Sequence, residues 1–160
     1  MSPERVLHPS VTDFFAKDHD RLDLLFKNYR EMKRTNRGEA KKNFVQFKFG
    51  LQRHIIWEEE ILFAIYESKT GMRDVGPTAV MRKEHRLIGR ALEAIHGKVG
   101  QGNPDTEKEE QDLLDLLSPH NIKEEKILYP AIDSVISPQE LSSVFQKMES
   151  LPPERYEKCC

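Results

Sequence analysis

Apolar residues recur along this chain in steps of three and four, and no stretch shows the strict alternation of a half-buried strand. Phe15, His19, Leu22, Phe26 and Tyr29 form the first such seam, with capping side chains ahead of it in Ser10-Val-Thr-Asp13. Asn36-Arg-Gly38 breaks the pattern. A second seam carries Phe44, Phe47, Leu51, His54, Glu58, Ile61 and Ile65, and Thr70-Gly71 and Gly76-Pro77 bracket the connection that follows. The third holds Met81, His85, Ile88, Leu92, Ile95 and Val99 before Gly97, Gly100, Gly102 and Asn103-Pro104 close it. The fourth runs Leu113, Leu117, His120, Glu124, Ile127 and Ala131. Pro119 and Pro130 lie inside it, so a kink or restart is expected near Ser118 and a bend near Tyr129. Ser137-Pro-Gln-Glu140 is a capping box that opens a short helix with Leu141, Val144, Phe145 and Met148. The pattern predicts an all-α fold, an antiparallel up-down-up-down four-helix bundle over about 12–136. A short fifth helix over about 138–149 and a flexible tail over 152–160 complete one domain, 1–160.

Composition changes this picture little. A chain of 160 residues with 38% apolar and 32% charged residues suits one domain of amphipathic helices. A formal charge of −2 gives no general pull toward nucleic acid or an anionic membrane. Lys33, Arg34, Arg37, Lys41 and Lys42 cluster around a turn and read as a solvated helix end. No apolar run approaches the ~20 residues that cross a bilayer. Met1 to Ser10 lacks the apolar core of a signal peptide, so a cytoplasmic protein is expected. Cys159 and Cys160 are adjacent at the C-terminal end, where they cannot staple the fold and read as part of a frayed tail.

The candidate chemistry lies on the seams themselves. His54-Ile-Ile-Trp-Glu58-Glu-Glu-Ile-Leu-Phe63 recurs as His120-Asn-Ile-Lys-Glu124-Glu-Lys-Ile-Leu-Tyr129, identical at six of ten positions. In each copy a His and a Glu four residues apart project from one helix face. His19, His54, Glu58, His85, His120 and Glu124 all stand where their neighbours are Phe, Leu, Ile or Met. Burying such groups unpartnered costs on the order of 1–3 kcal/mol each, so six in register ask for a common partner. The midpoints between successive members fall at Asn36-Arg-Gly38, beside Gly71 and at Gly102-Asn-Pro104. Antiparallel neighbours meeting at one depth would turn at those breakers. His19 and His54 are separated by 35 positions, as are His85 and His120. Two equivalent hairpins suggest two metals, each with two imidazoles, and Glu58 and Glu124 free to bridge. Imidazole and carboxylate suit iron, manganese and zinc alike.

The paired His-x-x-x-Glu motifs, each with a lone His on the preceding helix, resemble the hemerythrin-like proteins of the HHE cation-binding class across roughly residues 12–136. That resemblance implies a four-helix bundle around a non-haem di-iron centre, oxo- or hydroxo-bridged, with His19, His54, Glu58, His85, His120 and Glu124 as ligands and the two glutamates as carboxylate bridges. The oxygen-carrying members have a further His where Met81 stands, and His-x-x-x-x-Asp where this chain has His120-x-x-x-Glu124. Four histidines and two glutamates are closer to the iron-sulfur-repair and related branches, although no counterpart of the repair proteins' separate cysteine-containing N-terminal domain is expected here. Fewer protein ligands leave open coordination positions, which favours reactivity over reversible carriage. The resemblance implies redox handling of a small species such as O2, peroxide or nitric oxide, making a di-iron oxidoreductase one reading. A non-catalytic module for iron or oxygen binding, sensing or iron delivery is the other. The electron donor and protein partners are not legible.

Other polar residues read as bystanders. Asp23, Glu59, Glu60 and Glu125 are expected to face outward, His8 to face solvent, and His96 to sit at a helix end where a charged imidazole suits the dipole. Gly50, one turn before His54, costs a helix about 1 kcal/mol relative to Ala. It is either a packing accommodation or an opening for a small ligand. Tyr29, Tyr66 and Trp57 could carry electrons or hydrogen-bond a ligand, but core aromatics need no such role.

Overall fold

A computed structural model of the chain describes residues 7–158, in which every regular element is helical. The long helices are α1 (Val11–Met32), α2 (Arg37–Ile56), α4 (Pro77–Gly100) and α5 (Glu107–Lys123). Shorter α3 (Phe63–Thr70) and α6 (Tyr129–Val135) prolong α2 and α5, and α7 (Pro138–Glu149) follows. Cys159 and Cys160, expected to belong to a frayed tail, lie outside the described residues. No helix among the described residues is long and apolar enough to cross a membrane.

Local chemistry starts and stops these helices much as the sequence implies. Ser10 Oγ accepts from the Asp13 N–H at 3.0 Å, and Asn36 Oδ1 accepts from the Glu39 N–H at 3.3 Å, filling orphan donors at two N-termini. Gly71 ends α3 at φ +74°, a left-handed conformation that costs a side-chain-bearing residue far more. The Ser137–Glu140 capping box forms in both directions, with Pro138 in the first turn of α7. One cap reaches across the fold. The Asp133 carboxylate accepts from the Val11 N–H at 2.8 Å and the Thr12 N–H at 3.0 Å, holding the start of α1 against α6.

Between α2 and α3, and again between α5 and α6, the chain passes through a π-helical turn, Trp57–Leu62 and Glu124–Leu128. In each, the carbonyl of the buried glutamate accepts from the N–H five residues on, Phe63 to Glu58 and Tyr129 to Glu124. A π turn inserts one extra residue, which moves every later side chain on by one. The expected seam Ile65, Ile127 and Ala131 is accordingly displaced. Ile127 is 62% exposed, while Leu62, Tyr66, Leu128 and Ile132 take the interior. Ile61 stays buried beside Leu62. Of the kink or restart expected near Ser118, no restart occurs, and α5 runs continuously through Pro119. Pro119 and Asp115, whose carbonyl loses its donor, are both exposed, so water can satisfy that oxygen. The irregularity near Tyr129 is the π turn. Its twin in the first half precedes Ala64, so proline is not the shared cause.

The core falls into two apolar clusters. One gathers Phe15, Trp57, Leu62, Phe63, Met81, Leu128, Ile132 and, from α7, Val144, Phe145 and Met148. The other gathers Leu22, Phe26, Phe44, Phe47, Leu51, Ile88, Leu92, Leu113 and Leu117. On every long helix the polar seam residues fall between members of the two.

Three peripheral expectations are corrected. Lys33 is buried rather than solvated, because Glu107 and Glu110 pair with it at 3.0 and 2.5 Å. His8 is half-buried, stacked on Phe145 with ring centroids 4.9 Å apart. Residues 152–158 are not a loose tail. They include a 3₁₀ turn, Pro153–Arg155, and lie along α2, where Gln52 and Lys48 donate to the carbonyls of Tyr156 and Lys158 at 2.7 and 2.9 Å.

Candidate metal centre

Between the two apolar clusters, His19, His54, Glu58, His85, His120 and Glu124 come together, each no more than 4% exposed. Their donor atoms form two groups that share an acid. Glu58, His85, His120 and Glu124 have ligand atoms within 4.8 Å of one another, and so do His19, His54 and Glu124. Glu124 Oε1 is 3.2 Å from both His19 Nε2 and His120 Nε2. Glu58 Oε1 is 3.2 Å from His85 Nε2 and 3.5 Å from His54 Nε2. Each π turn opens at or one residue before its glutamate, so it leaves the His/Glu pair one helical turn apart and displaces the side chains that follow.

Every imidazole turns Nε2 inward and gives Nδ1–H to a carboxylate. His54 donates to Asp18 at 2.8 Å, His120 to Glu84 at 2.8 Å, His85 to Glu59 at 2.9 Å and His19 to Glu125 at 2.9 Å. A carboxylate can only accept, so the proton lies on Nδ1 and Nε2 is left as a lone pair whenever the ring is neutral. Histidines that ligate metals are held this way. Glu59 and Glu125, expected to face outward, are thus half-buried orienting groups. Asp18 and Glu84 had no sequence signal beyond preceding His19 and His85 by one residue. Lys123 in turn pairs with Glu84, and Arg21 with Asp18 at 2.9 Å. Glu60 does face outward, paired with Arg155, and Asp23 is exposed at the rim of the site.

With the imidazoles neutral, three buried atoms here lack a hydrogen-bond partner: Glu58 Oε1 and His85 Nε2, which then face each other as two acceptors 3.2 Å apart, and Glu124 Oε2. All belong to the first group. Such orphans are costly in a dry interior unless a cation satisfies them. The donor set, imidazole nitrogen with carboxylate oxygen, suits iron, manganese or zinc, and these residues therefore fit a metal.

Protons report the same frustration. Burial alone would lower the His19 and His85 imidazoles, but the adjoining glutamates outweigh it and raise them to about 9 and about 10. His120 is raised against its burial by Glu124. Burial and the neighbouring Glu124 raise Glu58, whereas Glu124, despite its own burial, is held well below the usual carboxylate range by Glu58, His120 and His19. Without a cation, protons on His19 and His85 offset the crowding.

One member went unrecognised in the sequence. Tyr129, fully buried, donates its hydroxyl to Glu58 Oε2 at 2.8 Å, with Glu124 Oε1 at 3.1 Å, His54 Nε2 at 3.2 Å and His19 Nε2 at 3.4 Å from the same oxygen. Its position in the repeat, opposite Phe63, was the available signal. Of the other aromatics, Tyr29 lies in the second apolar cluster and bonds Thr106 at 2.8 Å, and Trp57 lies under the Arg53 guanidinium.

Beside the centre is a cavity of about 10 Å³, bordered by Leu22, Leu51, Ile88 and Leu117 as well as by the six residues. That is roughly the room one water needs. Gly50 does not border it. A Cβ there would meet Leu22 Cδ2 at 2.6 Å, so the glycine serves the close approach of α1 to α2.

A sequence model of the Hemerythrin HHE cation binding domain matches residues 10–132, and the chain belongs to that family. No curated protein and no solved structure matches it. Membership brings metal-cation binding with it, and the His/Glu groups above are where a cation could be held.

Proposed function

We propose that this chain binds two iron ions and uses them for redox chemistry on a small oxygen or nitrogen species: O2, peroxide or nitric oxide. His85 and His120 hold one ion, His19 and His54 the other, and Glu58 and Glu124 bridge. The observation that carries the reading is the convergence of three unpartnered buried atoms, Glu58 Oε1, His85 Nε2 and Glu124 Oε2, among imidazoles whose Nδ1 positions are all occupied. The bundle is read as antiparallel up-down-up-down. Contacts in opposite chain order support that reading, since Val11 meets Asp133, His19 meets Glu125, and Tyr29 meets Thr106.

Bound iron would supply the electrons and the Lewis acidity. The protein's part is positional. Asp18, Glu59, Glu84 and Glu125 fix the ring orientations and increase imidazole basicity. The apolar clusters keep bulk water from the centre, which strengthens every electrostatic interaction there. The Tyr129 oxygen, which does not border the cavity, lies 2.8 Å from Glu58 and helps to fix that acid in place. A cavity of about 10 Å³ favours a molecule of few atoms.

Stopped-flow mixing of the iron-loaded protein with peroxide or nitric oxide tests the reading. Catalytic consumption with an added reductant, lost when His85 and His120 are both replaced by Ala, is the expected result. Iron-dependent ordering without turnover would favour a storage, delivery or sensing module instead.

A further inference from the structure

The two halves of the centre repeat with an offset of 66 positions, as His19/His85, His54/His120, Glu58/Glu124, Asp18/Glu84 and Glu59/Glu125. The offset continues to Phe63 and Tyr129, the residues that close the two π turns, and there the chemistry differs. Phe63 stacks on His85, with ring centroids 6.0 Å apart and planes 7° from parallel. Tyr129 lies against His19 in the equivalent place, with centroids 5.8 Å apart, and its ring carries an oxygen that Phe63 lacks. Two of the three unpartnered atoms, Glu58 Oε1 and His85 Nε2, belong to the group containing His85 alone and the third to the shared Glu124, while His19 Nε2 and His54 Nε2 both face that oxygen.

A hydroxyl has one proton to give. With Nδ1–H committed to Asp18 and Glu125, neutral His54 and His19 present lone pairs to the Tyr129 oxygen, and Glu58 and Glu124 are acceptors too. Four electron-pair donors around one O–H cannot all be satisfied by its proton. A cation satisfies them. Around an ion with bonds of ~2.1 Å, neighbouring donors stand ~3.0 Å apart at right angles and ~3.4 Å apart at the tetrahedral angle. The Tyr129 oxygen lies 3.1 Å from Glu124 Oε1, 3.2 Å from His54 Nε2 and 3.4 Å from His19 Nε2. Those are the spacings of a further vertex on the same coordination shell.

From this we infer that the Tyr129 phenol oxygen is a seventh protein ligand, bound as phenolate to the metal held by His19, His54 and Glu124, and that the two metal positions are inequivalent for this reason. The inference rests on the dinuclear reading above. The iron–oxygen bond forms as the O–H bond breaks, and the proton leaves to solvent. No electron is transferred.

The test is resonance Raman and visible absorption of the full chain loaded with iron(III), with iron measured on the same sample. Expected are a phenolate-to-iron charge-transfer band and tyrosinate ring modes enhanced within it. Both should be lost in Tyr129→Phe and kept in Tyr66→Phe, with about two irons per chain throughout. Wild-type protein holding about two irons without tyrosinate modes would overturn the role of Tyr129 while leaving the dinuclear reading intact. Retention of the modes in Tyr129→Phe would do the same. Failure of the wild type to bind iron would overturn both. The wild-type spectrum decides the matter even if the Phe variant does not fold.

Discussion

Asp18 accepts the Nδ1 proton of His54 at 2.8 Å, and 66 positions further on Glu84 does the same for His120 at the same distance. In both cases the acid directly precedes the histidine of one helix and orients the histidine of the next. Each hairpin thus orients one of its own two imidazoles. Glu59 and Glu125 cross between hairpins, to His85 and His19, and tie the two halves together.

Asp18→Asn and Glu84→Gln should therefore weaken metal binding by about 10–100-fold with helix content unchanged, since an amide keeps the shape and loses the charge. Competition titration against a chelator measures the affinity, and circular dichroism the fold. Equal affinity in the variants would mean that these acids do not hold the rings.

Metal uptake should release protons. His19 and His85 are raised from an ordinary 6.5 to about 9 and about 10, so at neutral pH both must lose a proton before Nε2 can ligate. Calorimetry in buffers of differing ionisation enthalpy counts the protons released, and none would contradict the arrangement. The same shifts set the stability of the metal-free chain. A folded-state value raised above the unfolded one contributes stability that is complete below about 6.5 and is lost as pH rises through 9 to 10. Chelator-treated protein should therefore unfold at progressively lower urea between pH 7 and pH 10. A flat or rising midpoint would count against it.

Asp133→Ala removes the carboxylate that caps α1 from α6. Two backbone donors lose their partner, and a loss of about 1–2 kcal/mol is expected in urea unfolding. Metal stoichiometry should not change.

Gly50→Leu should destabilise by roughly 1–3 kcal/mol, because the side chain has to displace buried Leu22. Rates of azide or nitric oxide binding should stay near those of the wild type, since Gly50 does not border the cavity. Slowed binding at unchanged stability would restore the idea that it opens a path.

The helices, their breakers and the six polar seam residues were legible because each rests on local chemistry or on a repeat visible by eye. What escaped was the effect of one inserted residue. Ile61-Leu-Phe63 and Ile127-Leu-Tyr129 are apolar at three successive positions, so the period can be continued in either of two registers. A regular helix selects Ile127, and a π turn selects Leu128 and brings Tyr129 inward. The orienting acids were hidden for another reason. Glu59 and Glu125 are half-buried at positions that read as solvent-facing, and only the fold shows an imidazole within reach.

The most direct test of the dinuclear centre is metal analysis with an optical spectrum on aerobically purified protein. About two irons per chain, with the near-ultraviolet absorption of a bridged iron(III) pair, is the expected result. A folded, helical sample that takes up one iron or none when iron is supplied would contradict it.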